Sequence, residues 1–127
     1  MDVEVDLGGE QLVELPVEVV AKKERRVALE VLRVDRNRLT AVPEFVAQFS
    51  VLRELHLANN SLTAPPSARL CAALPNLRLL DLERNGISDL EPLASLCAIE
   101  HLLLGHNRIE RWHDGIFGLS TLQELRL

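Results

Sequence analysis

Apolar positions change their period over short distances in this chain. In Leu77–Ile99 the residues Leu77, Leu80 and Leu82 follow a short, strand-like spacing. Ile87, Leu90, Leu93, Leu96 and Ile99 then recur every three residues, which marks one face of a tight helical segment. A single Asn85 stands between the two rhythms. Such a segment reads as a strand, a turn and a return leg. It cannot bury its apolar side alone, so it must stack on copies of itself.

Copies are present. Leu29, Leu32, Val34, Asn37 and Leu39 repeat the spacing of Leu77, Leu80, Leu82, Asn85 and Ile87. So do Leu52, Leu55, Leu57, Asn60 and Leu62, and again Ile99, Leu102, Leu104, Asn107 and Ile109. The shared pattern Leu-x-x-Leu-x-Leu-x-x-Asn-x-Leu resembles the leucine-rich repeat over nearly the whole chain. The resemblance implies one α/β domain over residues 1–127: a right-handed, curved solenoid. Its parallel sheet would line the concave face, with short helices or extended turns on the convex face.

Repeats are expected to start near residues 2, 29, 52, 77 and 99, with a truncated sixth from 122. The first is degenerate, with Asp2 in place of the first Leu and Glu10 in place of Asn, as expected for a terminal unit with one side in solvent. Leu15, Pro16, Val19 and Val20 supply its return leg, and the run Lys22–Arg26 reads as a solvated loop that lengthens it. Pro43 suits the first turn of a short helix, and Ser67 an N-cap. Units of 22 and 23 residues resemble the short intracellular subclass found in cytoskeletal and ciliary adaptors. Leu122, Leu125 and Leu127 begin a coil that no later residue covers. The expectation is a fragment of a longer protein that, in isolation, self-associates through the Glu124–Leu127 edge or frays there.

Within this frame each position has a duty. The repeating leucines point into the core. Asn37, Asn60, Asn85 and Asn107 form a structural ladder that satisfies turn backbone, a reading favoured over catalysis because they recur in every unit. The residues between core leucines face the concave side, where apolar Val31, Leu79 and Leu103 stand among both charge signs. An exposed leucine there has no packing role, which suggests contact with a partner. The expected protein-binding residues are Leu79, His101 and Leu103, with Arg33, His56 and Asp81 around them. Trp112 falls in a convex-side core column.

Composition narrows the function classes. Hydrophobic residues make up 47% of 127, a core-rich composition. A net charge of −5 argues against a nucleic-acid partner. No apolar run approaches the ~20 residues of a membrane-spanning helix, and the acidic start is unlike a signal peptide. Two cysteines are too few for a disulfide framework, and the cysteine caps of extracellular relatives are missing. A cytoplasmic protein is expected. His56 and His101 fall two strands apart in different columns, too far for one metal ion. With no nucleophile elbow, phosphate loop or enclosed carboxylate pair, neither catalysis nor a cofactor is expected. The reading is a protein-interaction module, such as a cytoskeletal, ciliary or signalling adaptor. The alternative is a targeting or regulatory domain of a larger enzyme: a kinase, a phosphatase complex or a ubiquitin ligase.

Overall fold

The computed structural model describes residues 4–16 and 28–127. The expected return-leg residues Val19 and Val20, the Lys22–Arg26 run and Asp2 lie outside the described residues.

Six three-residue strands follow one another: β1 Glu4–Asp6, β2 Val31–Arg33, β3 Glu54–His56, β4 Leu79–Asp81, β5 His101–Leu103 and β6 Glu124–Arg126. They pair in chain order as a single parallel sheet. Glu4 stands beside Val31, Val31 beside Glu54, Glu54 beside Leu79, Leu79 beside His101 and His101 beside Glu124. The register therefore absorbs unequal coils of 27, 23, 25, 22 and 23 residues without a slip. The mechanism is the period of two: a one-residue shift would turn Leu32, Leu55, Leu80 and Leu102 out of the core. All four are 0% exposed.

Return legs are short because each needs only to bring the chain back one strand spacing. Glu44–Gln48 (η1), Glu91–Ser95 (η2) and Asp114–Gly118 (η3) are 3-10 turns, and Ala68–Ala72 (α1) is one turn of α-helix. The period of three in Ile87–Ile99 is realised as η2, where residues three apart share a face. The α-helical exception lies in the longest described coil, where Ser67 accepts from the Leu70 amide at 3.1 Å and donates to Glu44 at 2.7 Å. Pro43 differs from expectation. It is the extended N-cap of η1 (ψ 145) rather than its first residue.

Val46, Phe49, Leu70, Leu74, Leu93, Leu96, Ile116 and Leu119 close the core from the convex side. Trp112 only partly joins it. The ring packs against the core with its centroid 5.6 Å from that of Phe117, and its Nε1 is buried without a partner. Phe117 itself is 76% exposed.

Candidate functional site

The strand face carries the side chains that have no core to fill. Leu79 and Asp81 on β4 stand directly beside His101 and Leu103 on β5. The four form a checkerboard, with the leucines on one diagonal and the polar residues on the other. His56 is the register partner of Asp81, and Arg33 of His56, so the register joins all six expected residues. The Arg33 guanidinium, however, turns from the other five. Its Nε donates to Glu4 at 2.8 Å, on the β1 side. That hydrogen bond is the chief reason its guanidinium is held above its ordinary value.

One expectation needs correction. Leu79 and Leu103 are half-buried, not exposed. Among the described residues the exposed large apolar side chains are Val13, Phe117 and Leu127, which lie off the strand face. Parallel strands lie only ~4.8 Å apart and let neighbouring side chains lean over each other, so a leucine flanked by His101 or Asp81 loses part of its exposure without entering the core.

The histidines are tied to carboxylates. His56 Nε2 lies 2.9 Å from Glu54 Oε1, on its own strand, and His101 Nδ1 lies 3.0 Å from Glu124 Oε1. The contact from His101, ahead of nearby Arg126, holds Glu124 below the ordinary carboxylate range. Arg126 donates to Glu124 at 2.9 Å and Arg36 to Asp35 at 3.0 Å. Asp81 has a different partner: its Oδ1 accepts the Glu83 amide at 3.1 Å. Beyond it the Glu83 carboxylate leans over Gly105, so close that an added Cβ there would lie 3.0 Å from Oε2. Sequence reasoning places Glu83 beside the strand face but does not single it out as a binding residue. The signal was available in the small residues Ala58 and Gly105 on either side of it in the same column.

The asparagine ladder supports this face from beneath. The Nδ2 of Asn60 donates to Val34 O and Leu57 O, both at 3.0 Å, and its Oδ1 accepts from the Leu39 amide at 3.0 Å. Asn85 repeats this on Leu57 O, Leu82 O and Leu62 N, and Asn107 on Leu82 O, Leu104 O and Ile87 N. Asn37 takes two amides, Glu10 and Leu12, because Glu10 replaces the asparagine of the coil before it. Asn37 is buried, while Asn60, Asn85 and Asn107 keep part of their surface in solvent. Their polar atoms are nonetheless paired.

Just before each asparagine the backbone turns left-handed, at Arg36, Asn59, Arg84 and His106 with φ of 56–57°. Gly9 holds the same place in the first coil with φ 70. This conformation aims the amides of Gly9, Arg36, Asn59 and Arg84 at the carbonyls of Asp35, Ala58, Glu83 and Gly105 in the next coil, at 2.9–3.0 Å. Stacking thus holds a strained residue in place at the rim of the strand face.

Comparison with known proteins agrees with this architecture. A profile described as leucine rich repeat matches residues 27–87. The chain belongs to the leucine-rich-repeat family. A leucine-rich-repeat protein of Leptospira interrogans superposes with a TM-score of 0.79 at 30% identity, covering 92% of this chain and 29% of that one. The septation initiation network scaffold protein cdc11 of Schizosaccharomyces pombe is 39% identical over 79 residues, 62% of this chain and 8% of that protein. The probable inactive serine/threonine-protein kinase roco10 of Dictyostelium discoideum is 28% identical over 126 residues, 97% of this chain and 5% of that protein. This chain therefore spans under a tenth of either curated relative. Among the described residues no helix is long and apolar enough to cross a membrane.

Proposed function

We propose that this repeat domain is a protein-interaction module that seats a protein segment on its concave strand face. Leu79, His101 and Leu103 make the central contacts, and Arg33, His56 and Asp81 frame them. The observation that carries this reading is the diagonal of Leu79 and Leu103 across β4 and β5, two large apolar side chains that stand outside the core among the described residues. The mechanism is rigid presentation. A sheet fixed by paired backbone and the asparagine ladder loses little ordering entropy when a partner docks. The domain works by binding and performs no reaction of its own, needs no cofactor, and acts in the cytoplasm as part of a scaffold. The likeness to a scaffold protein supports that role. Cytoskeletal and ciliary assemblies are the settings in which a short-repeat module of this kind would serve.

A double variant tests it. Leu79→Glu with Leu103→Glu should abolish capture of the cellular partner while leaving circular dichroism and melting unchanged. Undiminished capture would move the site to the convex side or an end.

A second reading makes the domain the targeting or regulatory part of a larger enzyme. The likeness to a protein named a probable inactive kinase favours it, since this chain matches only 5% of that protein. The full-length gene separates the two: catalytic motifs beyond residue 127 would support the second.

A further inference from the structure

We infer that the occupant of the concave face is an extended basic segment in which lysine or arginine alternates with large apolar residues. This rests on the concave-face reading above and adds the chemistry of the partner.

The argument is the charge left over after internal pairing. Three arginines on or beside the strand face are already committed, Arg33 to Glu4, Arg126 to Glu124 and Arg36 to Asp35, while Arg84 stands exposed at its rim. The two histidines each sit against a carboxylate, Glu54 or Glu124. Carboxylates are not matched in return. Among the described residues Asp81 is bonded only to the Glu83 amide and makes no ion pair. Glu83 lies over Gly105 with no cation against it among the described residues. Asp81 and Glu83 outnumber Arg84 and leave net negative charge at the end of β4, with Asp81 immediately beside Leu103 and two residues from Leu79. The chain's net charge of −5 has the same sign.

Spacing then selects an extended ligand. Asp81 and Leu103 are direct neighbours across one strand step, and Leu79 with His101 form the parallel step two residues away. An extended chain crossing the strands places alternate side chains toward the sheet ~7 Å apart. Such a chain can set an apolar side chain between Leu79 and Leu103 and a cation on Asp81 and Glu83. Lysine stems also lie well along half-buried leucines while the ammonium reaches the carboxylates. Cation pairing across a partly desolvated face sets specificity and raises the on-rate at low salt.

Fluorescence anisotropy on the intact 127-residue chain tests this with three labelled synthetic peptides of equal length: alternating Leu-Lys, alternating Ser-Lys and alternating Leu-Glu. The Leu-Lys peptide should bind at low salt and weaken steeply as salt rises from about 0.05 M to about 0.5 M. The other two should bind at least ~10-fold more weakly. Asp81→Asn with Glu83→Gln should weaken Leu-Lys binding ~10-fold and flatten its salt dependence. The charge-reversed pair Asp81→Lys with Glu83→Lys should instead favour Leu-Glu, which excludes simple unfolding. Equal binding of Ser-Lys and Leu-Lys would overturn the inference as mere charge attraction. A neutral Asp81/Glu83 pair that binds normally would also overturn it. If Leu79→Glu with Leu103→Glu still abolished capture of the cellular partner, the concave-face reading would survive. Preference for Leu-Glu, for single-stranded RNA, or for a second copy of the chain by sedimentation would each overturn it too.

Discussion

Asn85 donates its side-chain amide to the Leu57 carbonyl of the preceding coil at 3.0 Å, where Asn60 of that coil already donates at 3.0 Å. One acceptor oxygen thus serves two asparagines on successive coils. The same sharing occurs at Val34, between Asn37 and Asn60, and at Leu82, between Asn85 and Asn107. The ladder is therefore an inter-coil lock as well as a turn device, and it keeps the strand face rigid.

Replacing Asn85 by Ala should strand the Leu62 amide and remove one of two donors from each of the Leu57 and Leu82 carbonyls, which keep Asn60 and Asn107. Partial exposure lets water answer some of them, so a loss of ~1–3 kcal/mol is expected rather than the sum of three bonds. Denaturant unfolding measures it. A loss below ~0.5 kcal/mol would show that the neighbouring asparagines carry the inter-coil connection alone.

Arg84 tests the left-handed column. Its φ of 56 is held by the bond from its amide to Gly105. Asn59 fills the same place one coil earlier, and asparagine tolerates this conformation better than arginine. Arg84→Asn should be neutral or stabilising by a few tenths of a kcal/mol, whereas Arg84→Val should cost ~1–3 kcal/mol because a β-branched side chain fits this region poorly. Equal midpoints for the two variants would mean that the turn relaxes when the side chain changes.

How much of this was legible in advance depends on whether a feature repeats. Leu32, Leu55, Leu80 and Leu102 recur in fixed spacing, so strand order and inward faces followed from the pattern. The 3-10 character of η2 was legible for the same reason, in Leu90, Leu93 and Leu96. Features set by unique neighbours were hidden. The lean of Glu83 over Gly105, the capture of Arg33 by Glu4 and the partial cover of Leu79 and Leu103 all depend on which side chain stands on the adjacent coil. The left-handed column escaped because Arg36, Arg84 and His106 are not glycine. The stacking bonds, and not the residues' own preferences, impose that turn.

The two cysteines should behave oppositely. Cys71 is buried and Cys97 exposed, and both are free. Burial, with a smaller contribution from Cys97, pushes the Cys71 thiol from 9.0 up to about 12. The folded state thus favours the neutral thiol. Its contribution to stability is complete below pH ~9 and is lost as the pH rises from there toward ~12. Cys71→Ala should have a stability profile that falls less across that window than the parent's. Under native conditions a thiol reagent should modify Cys97 alone, with Cys71 reacting only on unfolding. Two equally fast native reactions would contradict the burial of Cys71.

The convex side offers a final test, at the contact of Gly115 with Ala94. A Cβ added to Gly115 would lie 2.7 Å from the Ala94 Cβ and 2.8 Å from the His113 ring. Neither neighbour can yield cheaply. Ala94 is part of η2, and the His113 ring accepts the Gly115 amide at 3.1 Å as the cap of η3. Gly115→Ala should therefore push η3 from η2 or break the cap, at ~1–3 kcal/mol. Ala94→Gly alone should cost ~0.5–1 kcal/mol through lost packing and added chain entropy. Combined, the two should recover part of the Gly115→Ala loss, because the closest clash is gone while the His113 contact remains. The coupling term of the double-mutant cycle, read from denaturant midpoints, separates the causes. A term near zero, with Gly115→Ala still costly, would assign the whole effect to the His113 cap.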